Sequence, residues 1–268
     1  MNLTAIIGLL AGIAAQIYGI MDSGELINFY TLSGIIVTVF GTILALITGT
    51  PGRLLSQIPK HLGVVFKNQK NDAMGFVNRI VDFAQLARRS GLLALEERAN
   101  QESDPFMKNA ILQIVDGVDA EKVRAMLEGS IDNIMARHEE AAGFWEKAAS
   151  LAPAFGMIAT VIGLVNMLMG LDVTADGAAE ALGANMSMAL VTTFYGAFLA
   201  NVVFSPIASQ LKSKSEEEYL CKVIVMEGVL SIQAGENPKY IREKLESMLS
   251  QKARAKAGAG AGSTESAE

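Results

Sequence analysis

Four long apolar segments dominate the pattern of hydrophobic and polar positions along this chain. They cover the ranges Leu3–Met21, Tyr30–Ile47, Leu151–Leu171 and Leu182–Pro206. Each approaches or exceeds the ~20 apolar residues that a helix needs to cross ~30 Å of hydrocarbon. The pattern therefore predicts four transmembrane helices. The first segment is included because no Lys or Arg precedes it and it lacks the cleavage pattern of a secretory signal.

The distribution of charge predicts the orientation of these spans. All 22 Lys and Arg residues lie in two segments, 13 of them between residues 50 and 150 and 9 after Pro206. The two short connections, Asp22–Phe29 and Asp172–Ala181, carry only acidic charges. Because loops rich in Lys and Arg stay in the cytoplasm, we expect the long segments and both chain termini to be cytoplasmic.

The polar segments have apolar residues at helical spacing, which predicts a helical cytoplasmic region. Asp104 followed by Pro105 is typical of a helix start. From Asp119 the pattern runs without a strong breaker into the third apolar segment, which predicts one continuous helix with Trp145 as an aromatic anchor at the membrane interface.

The sequence thus predicts an all-α polytopic membrane protein with a helical cytoplasmic domain. The expected divisions are spans one and two in 1–49, a cytoplasmic helical domain in 50–150, spans three and four in 151–206, a cytoplasmic helical tail in 207–250 and a disordered C-terminus in 251–268.

The residue inventory argues against an enzyme or a nucleic-acid-binding protein. His61 and His138 are far apart, have no nucleophile motif beside them and are expected at the surface. The single cysteine, Cys221, is expected to be a small apolar residue on a helix. The net charge is −6 and no basic patch with interleaved aromatic residues is present. We therefore expect no cofactor, no metal site and no nucleic-acid partner.

Polar side chains recur on one stripe of the third span and at similar depth in the fourth. Pro153, Gly156 and Thr160 share the stripe, and Thr192 and Thr193 lie in the middle of the fourth span. They are typical of a polar pathway, although neither span contains a carboxylate, lysine, arginine or histidine. The alternative is that each hydroxyl bonds to a carbonyl of its own preceding turn and does nothing more.

A charged run in the cytoplasmic segment is the other candidate site. Arg88 and Arg89 precede Gly91, and Glu96 and Glu97 follow it. If one helix continues across Gly91, the two pairs form charge patches about two turns apart. The alternative is an ordinary solvated helix face.

Three ordered motifs carry a family resemblance. They are APAFGMIATVIGL at residues 152–164, ALVTTFYG at 189–196 and FSPIA at 204–208. With the four-span order they make residues 1 to about 250 resemble the MotA/PomA-type A subunit of the bacterial flagellar stator, in the MotA/TolQ/ExbB superfamily.

The resemblance implies a multi-pass protein of the bacterial inner membrane that generates torque for flagellar motility. Members of the family form a pentamer around a dimer of a B subunit. That partner supplies a transmembrane aspartate for the transported cation and a peptidoglycan-binding domain. Cytoplasmic charges of the ring engage a rotor switch protein of the FliG type.

The resemblance also implies roles for individual residues. Pro153 and Pro206 match two prolines associated with conformational coupling. Thr160 and Thr193 match threonines near the partner aspartate, with Thr192 adjacent and Gly156 on the same stripe of the candidate ion pathway. The four charged positions assigned to rotor contact are Arg88, Arg89, Glu96 and Glu97.

The resemblance favours sodium over the proton as the driving ion. Sodium-type members typically carry threonine at the position of Thr160, whereas proton-type members often carry alanine. A hydroxyl suits sodium because a hard cation must replace lost water with oxygen ligands. Two alternatives stay open: an ExbB/TolQ-like envelope energy transducer, which usually has three spans, and a non-conducting membrane scaffold.

Overall fold

The computed structural model describes residues 3–67, 72–170 and 178–250, and every regular element in those ranges is helical. The α-helices are α1 Leu3–Ser23, α2 Leu32–Ile35, α3 Gly41–Thr48, α4 Gly52–Leu55, α5 Ile58–Phe66, α6 Ala73–Ser90, α7 Leu95–Asn100, α8 Pro105–Val115, α9 Ala120–Met169, α10 Ala178–Phe198, α11 Ser205–Gln233 and α12 Pro238–Ser247. Short 3-10 helices cover Leu26–Phe29 and Leu92–Ala94, and π-helical turns cover Ile36–Phe40 and Leu199–Phe204.

The four apolar segments are helical over most of their described length. The exceptions are Tyr30 and Thr31, which are extended at the start of the second segment, and Gly170, which forms a turn near the end of the third. Two helical stretches, Ala120–Met169 and Leu182–Gln233, are long and apolar enough to cross a membrane, and the apolar stretches Ile6–Asp22 and Leu32–Thr48 are shorter. The end of the predicted third span, Leu171, lies outside the described residues, as does the predicted disordered C-terminus.

The π-helical turns lie within the second and fourth apolar segments. The Ser205 N–H donates to the Ala200 carbonyl five residues back, immediately before Pro206. Proline has no N–H and its ring crowds the carbonyl four residues earlier, so a shifted hydrogen-bond register suits this position. Pro153 lies inside α9, which is continuous from Ala120 to Met169 as expected.

The chain divides into two compact units. The first contains the described residues of 1–69 and 138–213. One of its apolar clusters is centred on Trp145, which packs edge-to-face on Phe144 with ring centroids 5.4 Å apart and also contacts Phe204. Trp145 is only 6% exposed, so its expected role as an aromatic anchor at the membrane interface is wrong. It fills a protein core instead.

The second unit contains the described residues of 70–137 and 214–268. Its core is formed by apolar faces of α6, α8, α11 and α12 and the first part of α9. The Asp104 Oδ1 accepts the Met107 N–H at 2.8 Å, which confirms the expected start of α8. The Asn237 side chain caps α12 in the same way by accepting the Lys239 N–H.

The condition of one continuous helix across Gly91 is not met. Helix α6 ends at Ser90, and Gly91 has a φ of +80°, a conformation that favours glycine. One expectation is corrected by burial. His61 is not a surface residue, since it is 7% exposed on the inner face of α5. Cys221 is buried in α11, as expected.

Candidate ion pathway and charged surface

Three threonine hydroxyls converge on one backbone carbonyl between α9 and α10. The Thr160 Oγ1 lies 3.0 Å from the Ala189 carbonyl oxygen and 2.6 Å from the Thr193 Oγ1. The Thr192 Oγ1 donates to the same carbonyl at 2.8 Å and lies 3.5 Å from the Thr160 Oγ1. The structure therefore brings together the three threonines that the sequence placed on two separate spans.

Back-bonding within each helix accounts for only some of these contacts. The Thr160 Oγ1 is 2.9 Å from the Gly156 carbonyl in its own preceding turn, and the Thr193 Oγ1 is 3.3 Å from the Ala189 carbonyl. A hydroxyl carries one proton but two acceptor lone pairs, so this cluster has more acceptor sites than protons. Such an oxygen-rich group matches the ligands that a hard cation prefers.

Glycines allow α9 and α10 to approach closely at this level. A Cβ on Gly156 would lie 3.1 Å from the Thr192 carbonyl oxygen, and a Cβ on Gly196 would lie 2.7 Å from the Ala152 carbonyl oxygen. About two turns further along α9, a Cβ on Gly163 would meet Ala189 at 3.0 Å. Small residues therefore bring the backbones together, and this contact places the Thr160 hydroxyl against the facing helix.

Exposure changes across the threonine cluster. Thr193 is exposed, Thr160 is partly buried, and Thr192 is completely buried. The cluster thus reaches the surface of the chain on one side and the protein interior on the other. No Asp, Glu, Lys, Arg or His occurs in the sequence of 151–170 or 182–206, so any charge at this surface must come from outside these two spans.

The second apolar segment also contributes, which the sequence reasoning missed. A Cβ on Gly34 would lie 2.7 Å from the Thr192 Cγ2, and the Tyr195 hydroxyl donates to the Phe29 carbonyl at the beginning of this segment. The sequence did contain a signal for this contact. Thr31, Gly34 and Thr38 have helical spacing, which puts small and hydroxyl residues on one face.

The charged run forms two exposed groups on either side of a bend. Arg88 and Arg89 are in the last turn of α6, and Glu96 and Glu97 are in the first turn of α7. Each pair complements the helix dipole, which favours cations at a C-terminus and anions at an N-terminus. The pairs therefore do not lie on the one helix face that a continuous helix would have formed.

An open groove of about 620 Å³ lies beside the glutamates. The exposed Leu93, which is 76% accessible, lines it together with charged and amide side chains. Its remaining lining residues are Leu86, Ala94, Glu96, Glu97, Arg98, Asn100 and Gln101. The groove therefore combines one exposed apolar side chain with charged and amide groups.

Two other titratable side chains, those of His61 and Cys221, are buried in separate places. Burial lowers the pKa of His61 and raises the pKa of the Cys221 thiol to about 11. Within the described ranges no cluster of three or more His, Cys, Asp or Glu residues could hold a metal ion.

Comparison with known proteins shows similarity along nearly the whole chain. The sequence model of the MotA/TolQ/ExbB proton channel family matches residues 98–223. Motility protein A of Borreliella burgdorferi is 36% identical over 255 residues, covering 95% of this chain and 96% of that protein. Chemotaxis protein PomA of Vibrio alginolyticus is 36% identical over 256 residues, covering 95% and 98%. The solved structure of the flagellar MotAB stator complex from Bacillus subtilis aligns with a TM-score of 0.86 at 32% identity, covering 95% of this chain and 99% of that chain.

Proposed function

Because this chain belongs to the MotA/PomA flagellar stator subunits of the MotA/TolQ/ExbB proton channel family, we propose that it couples the flow of a cation to torque at the inner membrane. A subunit of this family is not an enzyme. The observation that carries the proposal is the convergence of three threonine hydroxyls on the Ala189 carbonyl. This cluster is the candidate ion pathway.

The proposed topology has four spans, with both termini in the cytoplasm. The spans lie in 1–49 and 151–206, while 50–150 and 207–250 are cytoplasmic. The concentration of all Lys and Arg residues in the two long segments supports this orientation. Reporter fusions after residues 50, 150 and 250 should all report a cytoplasmic location, and a periplasmic signal at any of them would reject the topology.

The proposed partner is a B-type subunit that brings a membrane aspartate and anchors to peptidoglycan. The exposure of Thr193, together with the lack of any Asp, Glu, Lys, Arg or His in the two spans, supports a carboxylate supplied from outside the chain. The similar solved structure from Bacillus subtilis is a MotAB complex. We propose that five copies of the chain surround two copies of this partner.

We propose sodium as the transported ion. The Thr160 Oγ1 lies within 3.0 Å of two carbonyl oxygens and closer still to the Thr193 hydroxyl. A dehydrating sodium ion needs such oxygen ligands, whereas a proton can pass between a carboxylate and water without them. The excess of acceptors over protons at this site therefore supports sodium.

The ion proposal is tested by Thr160→Val, which keeps the shape of the side chain but removes its hydroxyl. We expect it to abolish sodium-dependent swimming, whereas Thr160→Ser, which keeps the hydroxyl, should retain it. Swimming speed is measured against external sodium with and without a protonophore. Sodium-independent swimming of the unmodified protein would overturn the choice of ion, and an unaffected Thr160→Val variant would favour a non-conducting scaffold.

Pro153 and Pro206 are the proposed conformational coupling residues. Each removes a backbone donor in a long helix, and Pro206 lies two residues after the end of a π-helical turn. A helix weakened at such a point can change its local register at low energetic cost. Since one elementary charge crossing ~100 mV releases only ~2.3 kcal/mol, small repeated rearrangements suit the energy source.

The charged groups around Gly91 are the proposed contact with a FliG-type rotor protein. Their exposure and the adjacent groove support this assignment. Reversal of Arg88 and Arg89 to Glu should reduce torque at normal membrane levels. The matched control is Lys122→Glu, which reverses an exposed charge in the first turn of α9. Equal torque in both variants would remove the support for rotor contact.

An envelope energy transducer of the ExbB/TolQ type is the alternative within the same family. Deletion of the gene separates the two functions, because loss of a stator leaves flagella assembled but paralysed. Normal swimming after deletion would exclude the stator function.

A further inference from the structure

The second apolar segment contains a buried hydroxyl that has no protein partner. Thr38 is completely buried, and its Oγ1 makes no hydrogen bond to any residue that the structure describes. A buried hydroxyl without a partner is costly, so native proteins usually satisfy such groups with protein or ordered water. Something therefore has to supply the missing contact.

The π-helical turn explains why Thr38 does not bond to its own helix. Thr42 and Thr48 in the same segment each donate to a carbonyl four residues earlier, at 2.6 and 2.8 Å. Thr38 lies in the middle of the turn Ile36–Phe40, where the Gly41 N–H reaches back to the Ile36 carbonyl. The wider turn shifts the hydrogen-bond register, and Thr38 lacks the back-bond that the other two threonines make.

Thr38 lies where the second apolar segment contacts both α9 and α10. Gly34, one turn earlier on the same face, has the Thr192 side chain 2.7 Å from its Cβ position. Gly41, nearly one turn later, has the Phe155 ring 2.6 Å from its Cβ position. Thr38 lies between these two contacts, and its complete burial excludes lipid and a second subunit from its hydroxyl in this arrangement.

We propose that Thr38 binds one water molecule at this three-helix junction. Water is small enough for a closed site, and it can donate to the hydroxyl oxygen or accept its proton. The Gly34 carbonyl, which a back-bonded Thr38 would use, offers the second partner, because a backbone carbonyl has two lone pairs and can accept from a bridging water as well as from one N–H. The bound water would satisfy the hydroxyl and join the second segment to the helices of the threonine cluster.

Removing the Thr38 hydroxyl tests this proposal, because the two possibilities predict Tm changes of opposite sign. Thr38→Val replaces the hydroxyl with a methyl group of similar size. If the hydroxyl binds water, the variant should lower the Tm of the purified full-length complex by about 2–4 °C, the shift expected for one lost hydrogen bond in a chain of this size. If the hydroxyl is truly unpaired, the same variant should raise the Tm, which would overturn the proposal.

Two further measurements keep the test decisive. Thr48→Val is the matched control, because it removes a back-bonded and exposed hydroxyl from the same segment, and its Tm should change less than that of Thr38→Val. In an experimental map of the unmodified complex, a non-protein peak should lie within ~3.2 Å of the Thr38 Oγ1. A hydroxyl bonded to the Gly34 carbonyl, with no such peak, would refute the site even if the valine variant fails to assemble.

Discussion

Gly196→Ala should disrupt the contact that aligns the threonine cluster. The added Cβ would lie 2.7 Å from the Ala152 carbonyl oxygen, 3.1 Å from the Pro153 Cα and 3.2 Å from the Gly156 Cα. All three atoms belong to the backbone of α9, so no side chain can rotate away. The shortest of these distances must lengthen by about 0.8 Å or more for ordinary contact distances of ~3.5–4.0 Å to be restored.

The expected cost follows from this overlap. Overpacking of a well-packed contact costs ~1–3 kcal/mol, and alanine regains ~0.5–1 kcal/mol because glycine is unfavourable within a helix. The net destabilisation is ~0–2.5 kcal/mol and is centred near ~1.2 kcal/mol, or a factor of ~8 in the population of the correctly packed state. Separation of the helices would also lengthen the 2.6 Å contact between the hydroxyls of Thr160 and Thr193, so swimming should slow as well.

The assay compares thermal unfolding of the detergent-solubilised complex with swimming speed. Gly183→Ala is the matched control, since Gly183 lies on the same helix α10 and a Cβ there would meet no atom within 4 Å. We expect the control to be neutral or slightly stabilising and Gly196→Ala to lose both stability and speed. If the two variants behave alike, the close approach of the helices is not what positions the hydroxyls.

Two further predictions concern the second compact unit. Burial alone would raise the pKa of Glu227, but hydrogen bonds from Arg124 and Lys244 hold it below its ordinary value of 4.5. The stabilisation from Glu227 is therefore complete above pH 4.5 and is lost as the pH falls through the lower folded value. Hydrogen exchange of α11 should show this loss, and Glu227→Gln should remove that part of the pH dependence; an unchanged profile would contradict it. Because burial raises the pKa of Cys221 to about 11, maleimide should label this single cysteine slowly at pH 8 until the protein is denatured, and rapid native labelling would show that α11 opens readily.

Local sequence patterns predicted much of the fold because helix formation and capping depend mainly on residues close together along the chain. The apolar segments became helices, and the Asp104 start of α8 formed where the N-cap pattern indicated. The continuous helix from Ala120 into the third apolar segment also formed as expected. The end of α6 at Gly91 was missed, although glycine after a run of basic residues is a standard helix stop.

The same local patterns could not predict which side chains are buried. Trp145 and His61 have amphipathic side chains that occur both at surfaces and in cores, and only the surrounding helices show that both are enclosed here. The sequence placed hydroxyls at Thr160, Thr192 and Thr193 but did not show that they share the Ala189 carbonyl. The buried hydroxyl of Thr38 could not be inferred either, because the π-helical turn that withholds its back-bond has no sequence signature of its own.

The sequence by itself determined the class of protein, the apolar segments and the lack of any Asp, Glu, Lys, Arg or His in the third and fourth of them. The tertiary structure decided which polar groups meet, because helix spacing and rotation depend on close contacts such as that between Gly156 and Gly196. Those contacts join residues about forty positions apart, at distances set by packing rather than by any neighbouring residue along the chain.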